Sequence, residues 1–247
     1  MMNYRYSRFL YTALLFTSII AACGDPIGTD ESYQYTPAAE FNVRQLIQLS
    51  DSGEFYSSSI SARFFNAQTS GVLVERVLCN DVELPHESDD WGNIYRQTID
   101  APYVKGKEYP RLYTFAVWGA NGIPSLRDSI ESRRLPELLS PQHGDTLDTS
   151  RDLVIRWVPD TITSDRQRRF DEYVTVTMSR FGRDEYVSVS LPEYGLFVVP
   201  AHYLRSADPG RLRIGLTRRT YKNGQTTDGR YTSFTAYAEL NLEMIVR

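Results

Sequence analysis

Few side chains in this sequence stand at the spacings that chemistry requires. The densest polar stretch is His86-Glu87-Ser88-Asp89-Asp90-Trp91-Gly92-Asn93. Its adjacent acids, Asp89 and Asp90, would serve glycoside hydrolysis only with two carboxyl groups held about 5–10 Å apart, one giving a proton and one acting as nucleophile or base. Adjacency in sequence does not supply that geometry. The same oxygens suit calcium, which takes about six to eight oxygen ligands, but the spacing lacks the alternating acids, the glycine and the closing glutamate of an EF-hand loop. A solvated loop with Trp91 packed against a sheet edge is expected instead. The histidines, His86, His143 and His202, lie far apart, with no His-x-x-x-His or Cys-x-x-Cys spacing for zinc. No Gly-x-Ser-x-Gly elbow occurs. Lys105-Gly106-Lys107 lacks the upstream glycine and downstream hydroxyl of a phosphate loop. The chain therefore reads as non-catalytic, with no metal and no cofactor.

Two cysteines remain. Cys79 ends the apolar run Val77-Leu78-Cys79 and is expected to be a small buried hydrophobe rather than a reactive thiol. Cys23 is set differently. Arg5 and Arg8 precede an apolar run from Phe9 to Ile20, the small residues Ala21 and Ala22 follow, and no acid occurs before Asp25. That is the layout of a secretory signal peptide. The run is shorter than the about 20 residues a membrane span needs, and Thr12, Thr17 and Ser18 interrupt it.

Ile20-Ala21-Ala22-Cys23 resembles the lipobox of bacterial lipoproteins. The resemblance implies that residues 1–22 are a signal peptide and that Cys23 becomes the first residue of the mature chain. It would carry a thioether-linked diacylglycerol and an amide-linked third acyl chain. Two or three chains hold a protein firmly to a bilayer, whereas one holds it marginally. Gly24, not Asp, follows the cysteine, which by resemblance to proteobacterial lipoproteins points to the outer membrane rather than the inner. An acylated Cys23 leaves Cys79 without an intrachain partner, so packing alone must hold the cores.

Composition narrows the remaining classes. Removing Arg5 and Arg8 with the signal peptide takes the basic count from 27 to 25 against 31 acids, so the net charge falls from −4 to −6. An acidic chain with no clustered basic surface is excluded as a nucleic-acid binder. Its 17 tyrosines and 11 phenylalanines favour strands over helices.

The elements that must position these residues follow from the pattern. Residues 23–38 are the lipidated cysteine and a flexible tether rich in Gly, Pro and acids. A first domain is expected over 39–132. Phe41, Val43, Ile47 and Leu49 alternate with polar residues, although Gln45-Leu46 breaks the register; Asp51-Ser52-Gly53 turns, and Tyr56 to Phe64 alternates again. Asn80-Asp81 predicts a tight hairpin, since both residues tolerate positive φ. Tyr113-Thr114-Phe115-Ala116-Val117-Trp118, followed by the turn Gly119 to Gly122, resembles the F strand and F–G loop of fibronectin type III domains. In that family a tyrosine brackets the corner upstream, a role for Tyr113 or Tyr109 here.

A second domain is expected over 133–247. Pro136 and Pro141 suit an edge strand crossing between domains, and Arg133-Arg134 should meet acids at the junction. Leu153-Val154-Ile155-Arg156-Trp157, after the turn-rich stretch 141–146, resembles the A–B region of fibronectin type III-like and other immunoglobulin-like domains, with Trp157 inside the core. Arg166, Arg168 and Arg169 belong to a mixed-charge loop with Asp160, Asp165, Asp171 and Glu172 beside them. Strands are predicted at 173–179, 186–191, 196–199, 212–218 and 232–246, with Lys222-Asn223-Gly224 in a loop and Arg211, Arg213 and Arg219 facing Glu or Tyr on neighbouring strands.

The expected protein is all-β: two tandem antiparallel β-sandwich domains, fibronectin type III-like or immunoglobulin-like. It follows a lipoprotein signal peptide and short tether. Its partners would be the membrane, through Cys23, and another envelope protein or a glycan, in a binding or spacer role. One alternative is a glycan-binding lipoprotein stacking sugars on Trp91 or Trp118. The other is a small hydrolase using an acid pair such as Asp89-Asp90.

Overall fold

The computed structural model describes residues 38–66, 71–160, 173–180, 183–204 and 210–247. Cys23, the tether up to residue 37 and Arg166, Arg168 and Arg169 lie outside them. The first half contains β1 (Ala39–Ser50), β2 (Gly53–Phe64), β3 (Arg76–Cys79), β4 (Val82–Glu83), β5 (His86–Asp89), β6 (Gly92–Pro102), β7 (Leu112–Trp118) and β8 (Leu126–Glu131). The second contains β9 (Leu138–Ser140), β10 (Thr146–Leu147), β11 (Leu153–Trp157), β12 (Tyr173–Arg180), β13 (Arg183–Pro192), β14 (Leu196–Val199), the one-turn helix α1 (Ala201–Leu204), β15 (Gly210–Gln225) and β16 (Tyr231–Val246).

The chain is all-β, and its strands build sandwiches. A nine-stranded sheet runs β13-β12-β15-β16-β1-β2-β6-β5, with β10 beside β16. Two small sheets, β4-β3-β7-β8 and β14-β11-β9, provide the opposing layers. Strand periodicity explains how one sheet serves both. Along β1 the side chains of Ala39, Phe41, Val43, Gln45 and Ile47 share a parity and are all buried, so they point to one face. Ala39, Phe41 and Val43 enter a first core with Val77, Cys79, Phe115, Val117 and Ile130 from the four-stranded sheet. Ile47 enters a second core with Leu153, Ile155, Trp157 and Val199 from the three-stranded sheet. Both small sheets therefore cover the same face of the large one.

Two sandwiches thus stand in the expected chain order, and they share a sheet. A line at residue 133 separates the small sheets but cuts the large one. β1 pairs in parallel with β16, from Ala39 opposite Thr232 to Leu49 opposite Leu242. β16 feeds both cores, Phe234 and Ala236 to the first and Leu240, Leu242, Met244 and Val246 to the second. The first core is centred on Phe41, whose ring stacks on Phe234 at 4.6 Å and lies 4.7 Å from Phe115. Burying each such side chain stabilises the fold by about 1.5–3 kcal/mol.

Between the cores the sheet's inner face turns small and polar: Gln45 on β1, Ser58 on β2, Ala238 on β16 and Arg218 on β15, all buried. Here the apparent register break at Gln45-Leu46 resolves. Gln45 is 1% exposed and stays in phase, because its amide donates to the Tyr56 hydroxyl and the Pro110 carbonyl, both at 2.9 Å. A buried amide with partners costs little, and one without them would cost roughly 1–3 kcal/mol.

Several turns form as the sequence dictates. Asn80 and Asp81 both take positive φ, 50° and 64°, between β3 and β4, as a two-residue hairpin with right-handed twist requires. The Tyr113 hydroxyl donates to the Pro110 carbonyl at 3.1 Å, which makes Tyr113 the corner bracket. Two expectations fail. Residues 86–93 are not a loop but the β5–β6 hairpin, with only Asp90-Trp91 in the turn between Asp89 and Gly92. Lys222-Asn223-Gly224 continues β15 in register with β16 instead of looping. The turn falls later, where Thr226 N–H bonds the Arg230 carbonyl at 2.8 Å and Asp228 accepts from Thr226 and Arg230.

Candidate functional site

The hairpin tip at 89–92 is tied down by its own contacts. Asp89 pairs with Arg63 across to β2 and accepts the Trp91 N–H at 2.9 Å. The Arg63 hydrogen bond, with the Trp91 amide beside it, holds the Asp89 carboxyl below its ordinary range. A general acid needs the opposite shift. Asp89 is a turn-forming anion rather than a proton donor. Trp91 is 75% exposed, so it caps the tip instead of packing on a sheet edge. Trp118, 40% exposed, lies on another sheet under the Arg76 guanidinium, 5.6 Å from its ring.

The remaining singled-out residues have structural partners. Arg211 and Arg213 reach Glu243 on β16, Arg211 also meets Asp51 at 2.7 Å, and Arg219 lies 5.6 Å from the rings of Tyr221 and Tyr237. His86 bonds Asn93, and His143 bonds the Glu243 carbonyl. His202 leans on Tyr203 in α1. Among the described residues no three His, Cys, Asp or Glu side chains group as a metal site. Cys79 is 3% exposed on β3, and burial raises its thiol to about 12. Because the thiolate is the reactive form, a thiol reagent added to the native chain is expected to leave Cys79 unlabelled. In denaturant one thiol should react if Cys23 is acylated and two if it is free, counted by mass.

Where the chain crosses between sandwiches, the junction charges meet as the sequence suggests. Arg133 Nε donates to Asp160 Oδ2 at 3.1 Å and Arg133 Nη2 to Glu193 Oε1 at 3.0 Å. Glu193 is the hub. It also accepts from Arg218 Nε at 2.6 Å, Arg218 Nη2 at 3.2 Å and Trp157 Nε1 at 3.0 Å. Trp157 lies inside the second core, as expected, with its indole N–H spent on this carboxylate.

Beside this network a concavity of 390 Å³ opens at the waist between the cores. Gln45 and Ile47 line it from β1, the segment after β6 supplies Tyr103, Lys105, Lys107 and Tyr109, and Arg111, Arg134 and Glu137 complete the rim. The Tyr109 ring is backed by Tyr56 at 4.0 Å and runs 15° from parallel with Tyr103, 6.3 Å away. Lys107 Nζ lies 5.4 Å from the Tyr109 ring. Burial, with Tyr109 and Glu137 nearby, raises the Tyr103 phenol above its ordinary value. No spacing rule marks these residues in the sequence. The one available signal is the alternation of aromatic and basic side chains over 103–109, which is also what a strand-ending loop shows.

No protein-family model matches the chain, and no curated protein does. Among solved structures it is similar to the FN1–FN3 domains of chicken CNTN1, at 15% identity over 76% of this chain and 60% of that one, with a TM-score of 0.26. It is also similar to a bacterial adhesin from Mobiluncus mulieris containing intramolecular disulfide, isopeptide and ester bond cross-links, at 7% identity over 85% of this chain and 99% of that one, with a TM-score of 0.16. Superpositions this loose carry no functional inference. The sandwich architecture rests on the strand pairing itself.

The waist can offer flat ring faces, cationic heads and carboxylate acceptors to a ligand. Among the described residues that line it there is no serine, threonine or cysteine.

Proposed function

We propose that this protein is a lipid-anchored, non-catalytic component of the bacterial cell envelope, acting as a binding or spacer module in an envelope assembly, on the outer membrane. The observation that carries the reading is the sequence of the amino-terminal stretch, in which Arg5 and Arg8, the apolar run from Phe9 and then Ile20-Ala21-Ala22-Cys23 follow in order. The first described strand, β1, lies inside the large sheet between β16 and β2 rather than at an edge.

The lipobox resemblance makes Cys23 the residue to test. With a clickable fatty-acid analogue fed to cells, the wild-type chain should be labelled and sediment with membranes. Cys23→Ser should lose the label entirely and leave the membrane fraction. Unchanged labelling of Cys23→Ser would overturn the lipoprotein reading. The glycan-binding alternative draws on the exposed rings of Trp91 and Trp118 and on the tyrosine stack at the waist. The hydrolase alternative loses Asp89 as its acid.

A further inference from the structure

We infer that the waist concavity is a binding site for an acidic saccharide, with Tyr103, at the end of the stack, taking a sugar ring face and Lys105 and Lys107 taking its carboxylate. The inference rests on the binding-module reading above and names its ligand class.

Three features point to that chemistry together. The first is the platform. Tyr109 stacks on Tyr56 at 4.0 Å and on Tyr103 at 6.3 Å, so Tyr103 ends a fixed aromatic stack. Tyrosine presents a rigid apolar face with a polar tip, which suits a ligand that is flat and apolar on one side and hydroxylated at its edge. The second is charge. Among the described residues neither Lys105 nor Lys107 meets a carboxylate, and Lys107 rests over the Tyr109 ring. Arg111 and Arg134 lie on the rim but are paired with Glu131 and Glu137, so the excess positive charge is that of the two lysines. A locally cationic hollow on a chain of net charge −4 runs against its average composition and attracts an anion. Arg133 contributes none of this, because Asp160 and Glu193 neutralise it.

The third is the pair of rim carboxylates, Glu108 and Glu137. Carboxylates only accept hydrogen bonds, so they favour a ligand that brings donors. A sugar acid brings hydroxyl donors and an anion on one ring. Phosphate would bring charge and a hydroxyl donor but no ring face for Tyr103, and an acidic peptide would bring carboxylates without a hydroxylated ring. The hollow's 390 Å³ lies within the range of about 300–1,000 Å³ usual for small-ligand sites.

The test uses the full mature chain in detergent, titrated calorimetrically with oligogalacturonate, a neutral maltooligosaccharide, polyglutamate and inorganic phosphate. Oligogalacturonate should bind saturably and the other three should not. The exposed double variant Lys105→Ala/Lys107→Ala should weaken binding by about tenfold, corresponding to about 1.4 kcal/mol. Raised salt should weaken wild-type binding in the same direction. Tyr103→Ala should weaken it comparably and Tyr103→Phe much less. Because Tyr103 also packs on the second core, the lysine variant carries the test if Tyr103→Ala misfolds. Absent uronate binding, equal binding of polyglutamate, phosphate or the neutral sugar, or indifference to the lysine variant would each overturn the site. None of these outcomes alters acylation at Cys23, so the anchoring claim stands or falls separately.

Discussion

Replacing Glu193 with alanine should destabilise the protein by about 3–5 kcal/mol, the usual cost of stranding a buried charge. Both of its oxygens are committed, and its side chain is 9% exposed. Without it, Arg218 at 1% exposure keeps only the carbonyls of Arg134 and Val158, and Trp157 loses the acceptor for its indole N–H. Arg133 retains Asp160 and suffers less. In a chain of this size each kcal/mol lowers Tm by roughly 2–4 °C, so thermal unfolding reads the effect easily. Glu193→Gln, which keeps an acceptor but not the charge, should fall between. Glu83→Ala is the control. Its pair with Arg76 is about half-exposed, and such surface pairs contribute about 0–1 kcal/mol. Converting Glu193 and Arg218 together to apolar residues of similar volume should cost less than Glu193→Ala alone, since no charge is then left unpaired. A Glu193→Ala protein as stable as the Glu83→Ala control would show that the network does not hold the junction.

Dividing the chain at residue 133 should abolish folding of both pieces. Residues 39–132 alone would lack β16, leaving one flank of β1 unpaired and removing Phe234 and Ala236 from the first core. Residues 133–247 alone would lack Ile47 and Tyr56 from the second core, and β16 would lose its pairing to β1. Each piece forfeits large buried side chains worth about 1.5–3 kcal/mol apiece, against a net stability of about 5–15 kcal/mol for a whole domain. The intact chain should unfold in urea as one transition, with near-ultraviolet circular dichroism and tryptophan fluorescence coincident. A cooperative transition in either piece would show that the shared sheet is dispensable.

What the sequence discloses here is local. Asn80-Asp81 specifies its turn because two adjacent residues must take positive φ. Trp157 declares itself by alternation with Val154 and Arg156, whereas the corner bracket narrows only to Tyr113 or Tyr109 until the Tyr113 hydroxyl is seen on the Pro110 carbonyl. Arg133 is readable because a charge at a crossover needs a counter-charge. The shared sheet is not readable. β1 and β16 pair in parallel across nearly the whole chain with no turn to announce them, and an alternating strand does not say which partner it will take. Gln45 looks like a break because its two hydrogen-bond partners, Tyr56 and Pro110, sit on other segments. The hairpin at 86–93 is masked by its polarity, which comes from cross-strand ion pairs such as Arg96 with Glu87. The waist assembles from residues near 45, 105 and 135, so no window of sequence contains it.

The parallel pairing of β1 with β16 has a mechanical consequence. In the proposed anchored state, a pull on the amino-terminal end of β1 would enter the sheet near Ala39, and its component along the strand would load the flanking ladders. The ladders to β16 and β2 lie across that direction, so their hydrogen bonds bear the load side by side and must rupture together. Had the tether entered an edge hairpin, the same force would have peeled bonds one at a time. A load along β1 would therefore be shared by the full length of two strand seams rather than by any single contact.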